Sequence, residues 1–282
     1  MTRQKHREGY RDERGAEPGK EWNEKRKSRR RRKRRKARIR FLASMLGTLL
    51  GAVLLVLVAY TALNLFCGFG KVNAQKLREQ GYPESLIALV ERNPETKDFV
   101  LDYPKYKGLE EIDISKEVTK GEIPHFLQWD ERWGYENYGS DFLAVTGCGP
   151  TSLSMVVCGL TGDTKWNPYE VAKMAEDNGY YVDGSGSSWE LMSSGAEKLG
   201  LTVSSVIFDA EHIRATLESG QPIICVMGPG DFTDAGHFLV LTGVDQEGDI
   251  ILQDPNSVER TKQHWDVQKL MNQMKNLWSY RV

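Results

Sequence analysis

The chain has 282 residues, enough for one ordinary domain with attachments, and a formal net charge of −1. That near-neutrality conceals a segregation of charge: residues 1–40 hold 19 Lys and Arg against 6 Asp and Glu, and the rest of the chain holds 19 against 33. The four cysteines form no CxxC pair and no Cys/His cluster, which argues against a structural zinc site, and no cofactor is expected.

Residues 1–40 are polar, charged and almost free of large apolar groups, so a disordered tail is expected. The tail ends in an Arg/Lys run over residues 28–40. Such a run could bind nucleic acid, but it has no interleaved aromatics for base stacking and it abuts an apolar segment. It reads instead as a cytoplasmic flank obeying the positive-inside rule and touching anionic lipid, with no nucleic-acid partner. Residues 41–70 contain no charged side chain across 30 positions, long enough for one transmembrane helix. A cleaved signal peptide is the competing reading, since Val72-Asn73-Ala74 resembles a cleavage site, but its apolar region normally runs only about 7–15 residues. The favoured topology is a single uncleaved span in the cell membrane, N-terminus cytoplasmic, with everything after Lys71 extracytoplasmic. Cys67, at the end of this segment, is either inert in lipid or an acylation site.

Residues 71–121 read as an extracytoplasmic linker. Within it, residues 83–92 form a short amphipathic helix that Asn93-Pro94 ends, and residues 99–104 are expected to pack as an extended strap on the domain. The globular domain is expected over residues 122–282. Its opening, Gln128-Trp129-Asp130-Glu131-Arg132-Trp133-Gly134, is dense in indoles that suit core packing better than a ligand platform.

The stretch Thr146-Gly147-Cys148-Gly149-Pro150-Thr151-Ser152-Leu153 reads as a tight turn delivering a cysteine to the start of a helix. Pro150 fits the first helical turn, and Leu153, Val156, Val157 and Leu160 repeat at the spacing of a buried face. Gly159 and Gly162 offer stops. A thiol at such a helix start sits beside unpaired N–H groups and the positive end of the helix dipole, which favour the nucleophilic thiolate. Gly147 and Gly149 leave room beside the sulfur for a substrate carbonyl. Read alone, Cys148 suits a small buried hydrophobe at a helix end better than a nucleophile. Cys158 and Cys225 read as buried thiols, with a disulfide between them left open.

Asn167-Pro168 starts a second helix that Gly179 closes. A Gly/Ser-rich turn over residues 183–187 leads to a third helix, 188–199, then a strand at 201–208. Asp209 caps a helix through Leu217, and a largely apolar strand over 221–227 is expected to be central. After a mobile-looking loop, 228–236, His237 opens a strand through Val244. A turn at 245–248 returns the chain through Gln253 to Asp254-Pro255-Asn256. With Gln246 and Glu247 at the tip, paired residues sum to about 493. His237 then faces Asn256 and lies diagonally beside Asp254, and a slip of one or two residues would put the two directly opposite. Alone, His237 suits a structural role and Asp254 a turn-forming Asp-Pro. Together with Cys148 they supply a nucleophile, a general base and a group that fixes the imidazole tautomer.

The Gly-Cys-Gly-Pro-Thr-Ser motif at 147–152 resembles that of the papain-clan cysteine peptidases of family thirty-nine, in their stand-alone "like" branch. Residues 128–133, Gly186-Ser187-Ser188-Trp189, Gly236-His237-Phe238 and Asp254-Pro255 extend the match over roughly 122–282. The resemblance implies an α+β, papain-like fold, a helical half carrying the nucleophile and an antiparallel sheet half carrying His237 and Asp254. It implies that Cys148 attacks an amide carbonyl, His237 shuttles the proton and Asp254 orients His237. The family's oxyanion glutamine falls on Gln128, acting with the backbone N–H of Cys148. Better-known members are fused to an ATP-driven exporter, but this chain has no Walker-type phosphate loop. The expectation is therefore a membrane-anchored bacterial hydrolase of peptide or isopeptide amide bonds, with a peptide or protein as substrate. A cell-wall peptide amidase on the same fold and a non-catalytic surface binding module are the alternatives.

Overall fold

The computed structural model describes residues 18–68 and 72–282; several side chains of the first stretch, Cys67's among them, lie outside the described residues. The chain divides after Lys71 into two units. The first contains helix α1 (Pro18–Gly68). Within it, one segment is long and apolar enough to cross a membrane. Residues 18–40, expected to be disordered, continue this helix because Arg, Lys and Ala are strong helix formers. The rest of that tail lies outside the described residues.

In the second unit, α2 (Ala74–Glu79), α3 (Glu84–Arg92) and α4 (Lys97–Asp102) open the chain. The stretch expected as a linker thus carries helices packed on the domain, and its strap at 99–104 is helical rather than extended. Leu77, Leu86, Ile87, Phe99 and Val100 are buried and share one apolar cluster with Tyr135 and Ala144 of the main domain. The Phe99 and Tyr135 rings stack 4.2 Å apart, and the Tyr135 hydroxyl donates to the Phe99 carbonyl at 2.6 Å. Pattern reading treats 71–121 apart from the domain because the residues that complete that cluster, Tyr135 and Ala144 among them, lie further along the chain.

Next come a small hairpin, β1 (Asn137–Tyr138) and β2 (Asp141–Phe142), one turn of helix α5 (Leu143–Thr146) and the central helix α6 (Cys148–Thr161). Helix α6 is buried from Gly149 to Gly159, on all sides rather than along one stripe. Gly162 ends it in the left-handed conformation, φ +78°. Asn167 caps α7 (Pro168–Asp177) by accepting from the Tyr169 and Glu170 N–H groups. The Gly/Ser turn closes a second hairpin, β3 (Tyr181–Val182) and β4 (Gly186–Ser187). The helix expected over 188–199 is broken at Ser193 into a 3₁₀ turn, Trp189–Met192, and a short α8 (Ser194–Lys198).

A five-stranded antiparallel sheet completes the unit, built from β5 (Thr202–Ser205), β6 (Ile223–Met227), β7 (His237–Val244), β8 (Ile250–Gln253) and β9 (Met274–Arg281). Helix α9 (Ala210–Glu218), capped by Asp209, precedes β6, and α10 (Val258–Thr261) and α11 (Val267–Met271) precede β9. The strand order is β5-β9-β6-β7-β8, so β6 is central as expected. One sheet face packs Ile224, Val226, Phe238 and Val240 against α6. The other packs Ile223, Cys225, Leu239 and Leu241 against α9 and α11. This is the expected α+β arrangement, a helical half against an antiparallel sheet. The 128–134 aromatics serve as core: Trp133 is fully buried, and its indole N–H donates to the Leu127 carbonyl at 2.8 Å.

Candidate active site

Cys148 is the first residue of α6 and is half-buried. Its flanking glycines are required by packing against the protein itself. A Cβ on Gly149 would lie 2.4 Å from the Ser187 hydroxyl, and one on Gly147 would lie 2.4 Å from the Leu143 carbonyl. Ser187 in turn hydrogen-bonds the Tyr138 hydroxyl at 2.8 Å, so the β3–β4 hairpin is seated against the start of α6.

His237 opens β7, and the β7–β8 register brings it to Asp254. Val240 pairs with Gln253 and Leu241 with Leu252, the expected sum of 493, before a bulge shifts Gly243 onto Ile251. No slip is needed: the diagonal neighbour is the partner, and His237 Nε2 lies 2.7 Å from Asp254 Oδ1. The ionised carboxylate only accepts, so Nε2 carries the proton there and Nδ1 is left for the Cys148 sulfur.

Asp254 is fully buried and saturated with partners. Oδ1 also accepts from the Asn256 N–H at 2.8 Å, and Oδ2 accepts from Arg260 Nε at 2.5 Å. Its own N–H donates to the Thr261 hydroxyl at 2.9 Å, and its carbonyl accepts from His125 Nε2 at 2.7 Å. Burial pushes the Asp254 carboxyl up, but the charges and hydrogen bonds of His237 and Arg260 outweigh burial and hold it well below the usual carboxylate range. Burial likewise lowers His237, and Asp254 and Cys148 outweigh it, raising the imidazole to about 10. For Cys148 burial raises the thiol, while His237 and the N–H groups of Phe238 and Gly149 outweigh it and bring it below its ordinary value. The combination favours a thiolate–imidazolium pair at neutral pH, the form in which a thiol is nucleophilic.

The other two described thiols have no such setting. Cys158 is buried, donates to the Trp166 carbonyl at 3.3 Å and is pushed up to about 12 by burial. Cys225 is fully buried and pushed higher still, again by burial. Both are free thiols, and they sit in different core clusters.

Gln128 is brought to the turn preceding Cys148. Its Nε2 donates to the Ala144 carbonyl at 2.7 Å, its backbone N–H donates to the Pro255 carbonyl at 2.7 Å, and its Oε1 is buried without a partner among the described residues. Its second amide hydrogen is not used in that bond. The loop 228–236 is anchored rather than loose. Phe232 is buried against Trp265, ring centres 4.6 Å apart, and Gln273 brackets Asp231 with two 2.7 Å hydrogen bonds. A separate cavity of about 310 Å³, bordered by Tyr106, Glu110, Glu131 and Arg132, is lined by none of the four candidate residues.

Sequence reasoning passed over Arg260, His125, Asn93 and Glu95 around Asp254. Asn93 Nδ2 donates to the Asn256 carbonyl at 2.6 Å, and Glu95 accepts from the Val258 and Glu259 N–H groups at 2.8 and 3.2 Å. The cue for Arg260 was faint: Ser257 is a helix-cap residue, and Arg260 follows in the first turn.

Among known proteins, no curated sequence matches. A solved structure of a C39-like peptidase from Bacillus anthracis is similar at 19% identity and a TM-score of 0.34, covering 58% of this chain and 97% of that one. The sequence model of the Peptidase_C39 like family matches residues 120–282, which hold all four candidate residues. With that match spanning more than half its length, the chain belongs to the Peptidase_C39 like family.

Proposed function

We propose that the chain is a membrane-anchored cysteine peptidase that hydrolyses peptide or isopeptide amide bonds outside the cytoplasm. Membership of a peptidase family supports the chemistry and a peptide or protein substrate. The observation that carries the reading is the 2.7 Å His237–Asp254 bond, which leaves the other imidazole nitrogen to the helix-start thiol.

The Cys148 thiolate attacks the amide carbon and forms an S–C bond. The C–N bond then breaks as His237 gives its proton to the leaving amine. Water attacks the thioester with His237 taking one of its protons, the acid product leaves, and the thiolate–imidazolium pair is restored. Charge on the carbonyl oxygen is met by the Cys148 N–H at the helix start, with the unused Gln128 amide hydrogen as the second donor. The anchor reading rests on the apolar segment of α1, and the orientation on the basic run that precedes it.

Casein and purified peptidoglycan serve as the test substrates. Casein cleavage that is lost in Cys148→Ala is the expected result. Release of peptides from peptidoglycan alone would move the reading to a cell-wall amidase, and cleavage surviving Cys148→Ala would end the cysteine-peptidase reading. External protease on intact cells should digest the 72–282 unit; protection would reverse the topology.

A further inference from the structure

The Asp254 carboxylate has two cationic partners, and only one belongs to the proposed reaction. Arg260 reaches Oδ2 through Nε at 2.5 Å from the side opposite His237. The guanidinium's setting carries a cost to the fold: its Nη2 is buried without a partner among the described residues. Its Cζ lies 5.8 Å over the Phe232 ring centre, a cation–π contact that offsets part of that cost.

Its placement is nonetheless strongly determined. Arg260 lies in α10, whose first turn is held by two carboxyl or hydroxyl caps: Ser257 accepts from the Arg260 N–H at 3.0 Å, and Glu95 accepts from the Val258 and Glu259 N–H groups. The next residue, Thr261, accepts the Asp254 N–H. A single turn of helix therefore grips Asp254 at both its backbone and its side chain.

We propose that Arg260 is a positioning residue for the reaction, holding the Asp254 carboxylate against His237 and balancing the charge of the thiolate form. The proposal rests on the Cys148–His237–Asp254 reading. Thiolate, imidazolium, carboxylate and guanidinium sum to zero. Without the guanidinium the same buried array carries a net charge of −1, and the group that can relieve it is the sulfur, by keeping its proton.

The other titratable groups facing the array do not supply the missing charge. His125, which donates to the Asp254 carbonyl, is held neutral by burial. Tyr138 beside Cys148 and Cys225 beside Asp254 are both kept protonated by burial. Glu95 is turned to the α10 N–H groups. Apart from His237, Arg260 is the cation touching Asp254 among the described residues.

The test is alkylation of Cys148 by iodoacetamide against pH in the full-length protein, read by peptide mass spectrometry so that other thiols do not interfere. Arg260→Gln should move the midpoint up by about one pH unit, making labelling near pH 6 about tenfold slower. Arg260→Lys, which restores the charge, should recover most of that loss; a merely structural role would not sort the two variants this way. If Arg260→Gln fails to fold, Arg260→Met, which keeps an unbranched apolar stem, carries the same expectation. A folded Arg260→Gln or Arg260→Met protein with the wild-type profile overturns the proposal while leaving the Cys–His pair intact. A wild-type protein without a low-pH midpoint overturns both.

Discussion

Replacing Glu95 with Ala tests whether residues 72–106 belong to the working domain. The carboxylate accepts from the Ser257 hydroxyl, from the Val258 N–H at 2.8 Å and from the Glu259 N–H at 3.2 Å. Hydrogen bonds to a charged group contribute about 1.5–3 kcal/mol each when well made. Glu95 is half-buried, so water replaces part of what is lost, and we expect a total cost of about 2–4 kcal/mol. In a unit of this size one kcal/mol moves the midpoint by about 2–4 °C, so a drop of roughly 4–16 °C should follow. Thermal unfolding followed by far-UV circular dichroism measures it. Glu95→Gln, which keeps one carbonyl acceptor, should lose about half as much. A Glu95→Ala protein melting within about 1 °C of wild type would show that the contact contributes nothing, leaving the apolar cluster alone to hold the 72–106 helices.

Two further outcomes follow from the site. Gly149→Ala places a methyl 2.4 Å from the Ser187 hydroxyl; overpacking of this kind costs about 1–3 kcal/mol, and because the strain falls beside Cys148, alkylation at that thiol should slow as well. A Gly149→Ala protein with wild-type stability and labelling would contradict the packing role assigned to the glycine. Asp254 governs acid stability. Its folded carboxyl titrates below its unfolded value of about 3.9, so its stabilisation is present above that value and is lost as pH falls through the folded one. Asp254→Asn should flatten the decline in denaturant midpoint below about pH 4; an unchanged slope would mean that other carboxylates dominate it.

Local patterns carried most of what could be read before the structure. The helix start at Cys148, the Asn167 and Asp209 caps, the central apolar strand and the β7–β8 register each depend on a few neighbouring residues, and each is seen. What escaped depends on partners distant in sequence. Glu95 and Asn93 act on a turn more than 160 residues away, and residues 97–102 become a helix because Phe99 and Val100 are buried against the main domain. Strand β9 lies between β5 and β6, buried from Leu277 to Tyr280 without the alternation that marks a half-exposed strand. The glycines beside Cys148 were read as room for a substrate carbonyl, and the protein groups that approach them, Ser187 and Leu143, were visible only in three dimensions.

The central claim is that Cys148 is a thiolate paired with the His237 imidazolium. The most direct measurement is the pH dependence of Cys148 alkylation in the full-length protein and in His237→Ala. The account predicts rapid labelling near pH 6 in the wild type and a midpoint moved to or above the free-thiol value of about 8.5 in the variant. Labelling of the wild type that rises only near 8.5, unchanged by His237→Ala, would contradict it.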